Sequence, residues 1–318
     1  MGRISTNKSF GYIQVTRTCN QKCVFCSNYY VDDTLTLEEI KEKINEYIGK
    51  GVNEIILSGG EPTLHPKLPE VIKYVIKKGA KPRIITNGQK LSEMNYLQEL
   101  LDSGLEQFMV SIYSHERKVQ EKLTQTKGSY DKAIKALENL SQKIQVLNIN
   151  ITINSLNINK LQETTQFLVQ RFPKIKHFVF NNIDPEPDRA KKNPWTIPLL
   201  VDIELPLYKT TNFLSQNNRT FRIERVPLCY MQGFEYNSTE TRRIVKDQTY
   251  RCYFLDKEGR RMYEKNEHYY DKPSDCKICH LNEICAGINK AYNAMYGTYE
   301  IYPVFIKKEK IISRILQN

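Results

Sequence analysis

The chain has 318 residues, 40% hydrophobic and 26% charged, which suits one large domain with an appendage or two domains, and no apolar run approaches the ~20 residues that span a bilayer. Lys and Arg outnumber Asp and Glu by 47 to 36, a formal charge of +11 scattered in short clusters such as Lys77-Lys78, Lys191-Lys192 and Lys307-Lys308. It reads first as a solvated surface and second as a preference for anionic partners. The opening MGRISTNKSF has no apolar core, so it is no secretory signal, and its Met1-Gly2 start with Thr6 is taken as a chance likeness to an acylation site; a soluble, cytoplasmic protein is expected.

In chain order, Phe10–Thr16 is a strand candidate that runs directly into a group of cysteines. Thr36-Leu37-Glu38-Glu39 is a capping box that opens a helix to about Gly49. Asn53–Ser58 is a short apolar strand ending in Gly59-Gly60, followed by a helix near Leu68–Lys78, a strand at Arg83–Thr86 and a helix from a Ser92 cap to about Ser103. Gln107–Ile112 reads as a strand, Tyr130–Ser141 as a helix, Val146–Ile153 as a strand, Lys160–Arg171 as a helix and Lys176–Phe180 as a strand. Six βα-type repeats imply parallel strands and right-handed connections, and six units fall short of a closed eight-unit barrel. The fold expected is α/β: a partial (β/α)6 TIM-like barrel with a small, irregular C-terminal domain, active residues lying at the carboxyl ends of the strands. Residues 1–183 form the barrel core. Residues 184–226 connect, with a loop at Asp184-Pro185-Glu186-Pro187, a helix around Pro198–Ser215 and a possible strand at Phe221–Arg225. Residues 227–318 are Tyr- and Cys-rich, have little periodicity, and need a staple to stay ordered.

The eight cysteines supply that staple's chemistry. Three lie within eight residues near the N-terminus and three within ten near the C-terminus, with none between Cys26 and Cys229. A cytosolic chain this long neither needs nor keeps a disulfide framework, so clustered thiols point to metal. Cys19, Cys23 and Cys26 have the spacing C-x3-C-x2-C. Three such thiolates grip three irons of a 4Fe–4S cubane and leave the fourth without a protein ligand, an open position of the kind catalysis requires. A zinc knuckle lacking its fourth ligand is the alternative.

Here the sequence resembles the radical S-adenosylmethionine (SAM) superfamily, whose pattern C-x3-C-x-aromatic-C is completed by Phe25. The resemblance covers roughly residues 10–181. Ser58-Gly59-Gly60-Glu61-Pro62 is similar to the family's GGEP segment that binds the SAM amino group; Thr86-Asn87-Gly88 resembles its TNG turn; Ser111 and Asn154 are similar to positions that contact SAM. From the residues alone, paired glycines permit a close backbone approach and Glu61 offers a carboxylate to an ammonium group. The resemblance implies reductive cleavage of SAM to a 5′-deoxyadenosyl radical that takes hydrogen from a substrate, with a reductant such as flavodoxin or ferredoxin supplying the electron.

Cys276-Lys277-Ile278-Cys279 with Cys285 and Gly287 gives C-x2-C-x5-C-x-G, which resembles the auxiliary-cluster (SPASM or twitch) region of peptide- and metabolite-modifying members of that superfamily. The full pattern has another cysteine where this chain has Asn289, so a shortened, single auxiliary 4Fe–4S site is implied. Its fourth ligand is Cys229 by preference or Cys252; the one left over is an ordinary thiol or a hydrogen donor to a substrate radical, the role assigned to Cys252. A zinc site using four thiolates, or His280 or His268 as the fourth ligand, is the alternative. His65 reads as loop structure, and His115 or Glu116 as rim residues near SAM or substrate.

The function implied is C–H activation on a ribosomally made peptide or a related small metabolite. Second comes a nucleic-acid modifier, for which the +11 charge is the single argument and no added RNA-binding module speaks; third, a non-catalytic metal-binding protein, against which the triad, Phe25 and the GGEP segment argue together.

Overall fold

The computed structural model describes residues 10–26, 28, 32–186, 188–248, 250–256, 259–263 and 269–317. Met1-Gly2, Pro187 and His268 lie outside the described residues. The chain alternates β1 (Phe10–Thr16), α1 (Leu37–Gly49), β2 (Glu54–Gly59), α2 (Leu68–Lys77), β3 (Lys81–Thr86), α3 (Met94–Asp102), β4 (Gln107–Ser111), α4 (Arg117–Thr124), α5 (Ser129–Lys143), β5 (Leu147–Ile153), α6 (Leu161–Arg171) and β6 (Ile175–Asn182). Then come α7 (Asp188–Lys192), α8 (Leu200–Gln216), β7 (Thr220–Glu224), α9 (Thr239–Val245), a β8 (Tyr250–Asp256) to β9 (Gly259–Tyr263) hairpin, the short strands β10 (Tyr270–Asp271) and β11 (Ile288–Asn289), and α10 (Lys290–Tyr296).

Nine strands form one sheet in the order β7-β6-β5-β4-β3-β2-β1-β8-β9, and β10 with β11 form a separate antiparallel pair. Every pairing in that sheet is parallel except β8 with β9, so the α/β partial barrel expected from six repeats is present, and the sheet continues by β7 beyond β6 and by β8 and β9 beyond β1. Local chemistry places the helices: Thr36 caps α1 by accepting from Glu39 N while the Glu39 carboxylate accepts from Thr36 N, and Ile40, Ile44 and Tyr47 turn one stripe inward. Ser92 does not cap α3. Its hydroxyl donates to Gln89 O within a preceding turn, and Glu93 stands at the helix start. No helix among the described residues is long and apolar enough to cross a membrane.

Strand alternation makes two different faces. Ile13, Val15, Ile55, Leu57, Phe178, Phe180 and Ile223 are buried toward the helices, while Tyr12, Ser58, Arg83, Ser111, Asn150, Asn181 and Glu224 fall on the opposite, concave face. Low in that concavity, Arg83 pairs with Glu54 at 2.5 Å and donates to Gln107 Oε1, and His177 bonds the Thr220 hydroxyl at 2.7 Å. Burial, then the nearby Arg222 and Arg83 charges, pull the His177 imidazole down from 6.5 to about 4. Between those values the unfolded chain binds a proton the folded one refuses, so stability is full above pH 6.5 and falls as pH drops. His177→Gln should remove up to about 3 kcal/mol of the loss between pH 6.5 and 4, read as a flatter pH dependence of urea midpoints; parallel curves would refute a neutral buried imidazole.

Candidate active site at the carboxyl ends of the strands

The cysteine loop leaves β1 at its carboxyl end and is fastened by backbone. Lys22 N donates to Thr124 O at 3.0 Å and Val24 N to Leu123 O at 2.9 Å, both carbonyls at the open C-terminal end of α4. Asn193 reaches Val24 O at 3.2 Å, and Asn28 exchanges two 3.1 Å bonds with Arg17 across the loop's base. Phe25, 6% exposed, sets its ring edge-on to Tyr113 with centroids 4.8 Å apart. Gln21 N donates to Cys19 Sγ and Asn28 N to Cys26 Sγ, each at 3.4 Å, and Asn87 Nδ2 lies 3.8 Å from Cys19 Sγ.

Burial pushes all three thiols up, Cys19 to about 12, while the Arg189 guanidinium works in the opposite direction on each. A buried sulfur of this kind gives up its proton when a cation replaces it, so the donor set suits a metal group that supplies positive charge. Among the described residues, no three His, Cys, Asp or Glu side chains converge as a single metal ion requires. Tetrahedral zinc with bonds of about 2.3 Å draws its sulfurs together, whereas a cubane takes each cysteine on a separate iron and spaces them apart. Three soft sulfurs on one loop are a donor set that a cubane can take, one sulfur to each of three irons.

The glycine pair after β2 serves a close backbone approach, but to protein. A Cβ on Gly59 (φ +149°) would lie 2.0 Å from Thr16 O, and one on Gly60 2.2 Å from Arg17 O and 2.4 Å from Thr18 O. Without side chains, Gly60 N donates to Thr16 O at 2.7 Å and Glu61 N to Thr18 O at 2.9 Å, locking the β2 turn onto the chain that leads to Cys19. Glu61 is 1% exposed. Its Oε1 accepts from Thr63 N (3.1 Å), Thr63 Oγ1 (2.6 Å) and Thr86 Oγ1 (2.6 Å), and its Oε2 from Asn87 N (2.7 Å). Burial still holds this carboxyl above its ordinary value. The carboxylate read from sequence as an ammonium ligand is thus the clamp between the β2 and β3 loops. Pro62 starts the short turn behind it, and Asn87 carries the clamp onward by donating to Asn20 Oδ1 at 2.8 Å.

Ser111 ends β4 on the concave face, where Asn150 Nδ2 reaches its hydroxyl at 3.4 Å. Asn154, fully buried after β5, directs its side chain into its own turn: Oδ1 accepts from Leu156 N and Asn157 N, and Nδ2 donates to Thr152 O. Sequence reasoning passed over Tyr113, which is buried edge-on to Phe25 and whose phenol is pushed well above its ordinary value, first by burial and then by the Cys23, Cys26 and Cys19 sulfurs; its position two residues beyond Ser111 was the available signal. His65 bonds backbone through both ring nitrogens, to Leu35 O and from Lys67 N, and His115 meets the Thr164 hydroxyl at 3.0 Å.

In the C-terminal part, one cavity is lined by Cys229, Cys276, Cys279, Cys285, Lys272 and Tyr302 together with neighbouring apolar residues. Burial pushes Cys229 up to about 12, with Cys285 and Cys276 adding to the effect, and raises Cys276 to about 11. Cys252 is elsewhere, buried on β8 in register with Tyr12 of β1. Asn289 caps α10, its Oδ1 accepting from Ala291 N and Tyr292 N.

Residues 13–168 match the Radical SAM superfamily. The Fe-coproporphyrin III synthase of Methanosarcina barkeri is 31% identical over 166 residues, 51% of this chain and 41% of that protein; this chain spans about half the length of the curated relatives it matches. Among solved structures, Streptococcus suis SuiB bound to S-adenosylmethionine is similar with a TM-score of 0.69 at 17% identity, covering 93% of this chain and 76% of that one. Native anSMEcpe with bound AdoMet and Kp18Cys peptide gives 0.65 at 14% identity over 98% and 100% of the two chains. At those identities the likeness is one of fold.

Proposed function

We propose that this chain, whose residues 13–168 match the Radical SAM superfamily, is a radical SAM enzyme that activates a C–H bond of a ribosomally made peptide or a related small metabolite. The observation that carries this reading is the open triad: Cys19, Cys23 and Cys26 sit at the carboxyl end of β1, behind the Glu61 clamp, with no fourth protein sulfur beside them among the described residues. Cys19, Cys23 and Cys26 would hold a 4Fe–4S cluster, which when reduced would supply the electron for cleavage of SAM to methionine and the 5′-deoxyadenosyl species that takes hydrogen from substrate. The chain's own residues then bind, orient and exclude water. Phe25 and Tyr113 wall the cluster side; Gly59, Gly60, Glu61, Pro62, Thr86 and Asn87 frame SAM through the locked loops, with Ser111 and Asn154 at the next two strand ends. The electron comes from a flavodoxin- or ferredoxin-type reductant, and a reducing, cytoplasmic setting keeps the thiols available.

The substrate class is supported by the Kp18Cys peptide bound to anSMEcpe, a chain that this one matches over 98% of its own length. A second cluster is part of the proposal. The division into a core at 1–183, a connection at 184–226 and an auxiliary-cluster domain at 227–318 rests on the cavity that brings Cys229 to Cys276, Cys279 and Cys285. Anaerobic reconstitution should load about eight irons per chain, and Cys276→Ala or Cys229→Ala should each lower the count toward four. Cys252→Ala should leave it unchanged; if it lost iron while Cys229→Ala did not, the fourth ligand would be misassigned. Cysteine at 252, in the sheet beside Tyr12, remains for hydrogen donation to a substrate radical, and its alanine variant should then retain 5′-deoxyadenosine formation while altering the product. Cluster-loaded protein that forms no 5′-deoxyadenosine with dithionite and SAM would sink the whole reading.

A further inference from the structure

Two of the donors on the triad sulfurs, Gln21 N to Cys19 and Asn28 N to Cys26, are backbone groups of the cysteine loop itself. A third comes from another strand end: Asn87 Nδ2, in the turn after β3, reaches Cys19 Sγ at 3.8 Å. The direction of this amide is fixed by a group that cannot turn. Asn87 Oδ1 accepts from Gln89 N at 3.0 Å, and a backbone N–H accepts nothing in return, so a flipped amide would set two donors against each other. Nδ2 therefore faces the cysteine loop with two hydrogens, one for Asn20 Oδ1 at 2.8 Å and one for the Cys19 sulfur. The turn that carries it is tied at every step: Asn87 N donates to Glu61 Oε2 at 2.7 Å, Gly88 N to Thr86 Oγ1 at 3.0 Å, and Gln89 Nε2 to Ser129 O at 3.1 Å. Asn87 and Gln89 are both buried, which leaves water little access to the amide.

We propose that the Asn87 side chain is a hydrogen-bond donor to the Cys19 sulfur of the triad cluster and raises that cluster's reduction potential. This rests on the triad holding a 4Fe–4S cluster, as proposed above. A neutral thiol receives such a donor weakly. A sulfur that has exchanged its proton for iron carries negative charge, and charge-assisted hydrogen bonds are shorter and roughly twice as strong. The reduced cluster is more negative than the oxidised one by one charge, so a fixed donor stabilises it more and makes it easier to form. The amide is held by Gln89 and, through its backbone, by Glu61, so nothing has to reorganise when the electron arrives. This task is separate from the framing of SAM: it acts on the protein's own ligand sulfur, and no spacing within the cysteine loop calls for it.

The test is an EPR-monitored redox titration of the reconstituted full chain, with the Cys23→Ala spectrum marking any signal that belongs to an auxiliary cluster. Asn87→Ser keeps an oxygen that can accept from Gln89 N but is too short to reach Cys19. It should hold its triad iron and shift the midpoint potential to a more negative value. Asn87→Asp keeps the shape and the Gln89 contact while replacing the donor with an acceptor, and should shift the potential further in the same direction. Asn20→Ala separates donor from tether: it removes the amide's other partner and leaves the sulfur contact, so its potential should stay at the wild-type value. A shift in Asn20→Ala as large as in Asn87→Ser would mean that the amide only ties the loop down, and would overturn the proposal. Wild-type potentials in the loaded Asn87 variants would overturn it while leaving the radical SAM reading intact. If both Asn87 variants failed to load triad iron beside a wild type that loads it, Asn87 would be a support of the loop and not a tuning donor, and the proposal would again fall. A wild type that loads no triad cluster would overturn this inference and the reading beneath it.

Discussion

If both cysteine groups hold clusters as proposed, Cys23→Ala is expected to leave about four irons per chain of the wild type's about eight, and to lower 5′-deoxyadenosine formation by roughly a thousandfold or more, since the variant lacks one of the three sulfurs proposed to hold the cluster that reduces SAM. The fold should survive. Cys23 is 8% exposed, but the loop around it is fastened by Lys22 N and Val24 N to the end of α4, bonds that do not involve the thiol. Trimming one buried sulfur then costs about 1 kcal/mol, within the range for deleting a single small buried group. Iron content, SAM cleavage and urea midpoint should therefore separate: the first halves, the second vanishes, the third barely moves. Cys252→Ala is the matched control, a buried thiol on β8, outside both cysteine groups. Were Cys23→Ala to keep its iron and its SAM cleavage, the triad would not be the catalytic ligand set.

Much of this site was legible because local chemistry announces it. The three-cysteine spacing, the aromatic Phe25, the Thr36–Glu39 capping box and the alternation of strand and helix all act within a few residues of one another, and the structure has the capping box and the parallel alternation that this logic requires. What escaped sequence reading depends on long-range contact. Helix α4, Arg117–Thr124, has just Gln120, Leu123 and Thr124 buried, too little apolar stripe to register, yet its last carbonyls hold the cysteine loop. The two candidates for the fourth auxiliary ligand, Cys229 and Cys252, could not be separated by spacing; the pairing of β8 with β1 carries Cys252 to Tyr12 and away from the cavity that holds the other four thiols. Glu61 was read by its charge as a ligand for an ammonium group, and no local pattern announced that two loops would bring the same carboxylate four donors, the Thr63 and Asn87 backbone N–H groups and the Thr63 and Thr86 hydroxyls.

That role makes Gly60 the most sensitive non-cysteine position in the site. A methyl group there meets Arg17 O at 2.2 Å and Thr18 O at 2.4 Å, backbone atoms with no rotamer to swing aside, so the two chains must part by about an ångström to reach ordinary contact. Parting them lengthens Gly60 N to Thr16 O and Glu61 N to Thr18 O, and because Glu61 carries Thr86 and Asn87 with it, the strain reaches Asn20 and Cys19. Gly60→Ala is expected to cost about 3 kcal/mol, the upper end for overpacking, and to weaken triad iron retention. Gly49→Ala supplies the contrast: the space around that Cβ is open, and the change sits at the end of α1, so it should be neutral or stabilising by up to about 1 kcal/mol. Thermal midpoints with iron counts on both variants check the argument. If Gly60→Ala melted with wild type and kept its cluster, the backbone lock between the first two strand ends would not be what holds the cysteine loop in register.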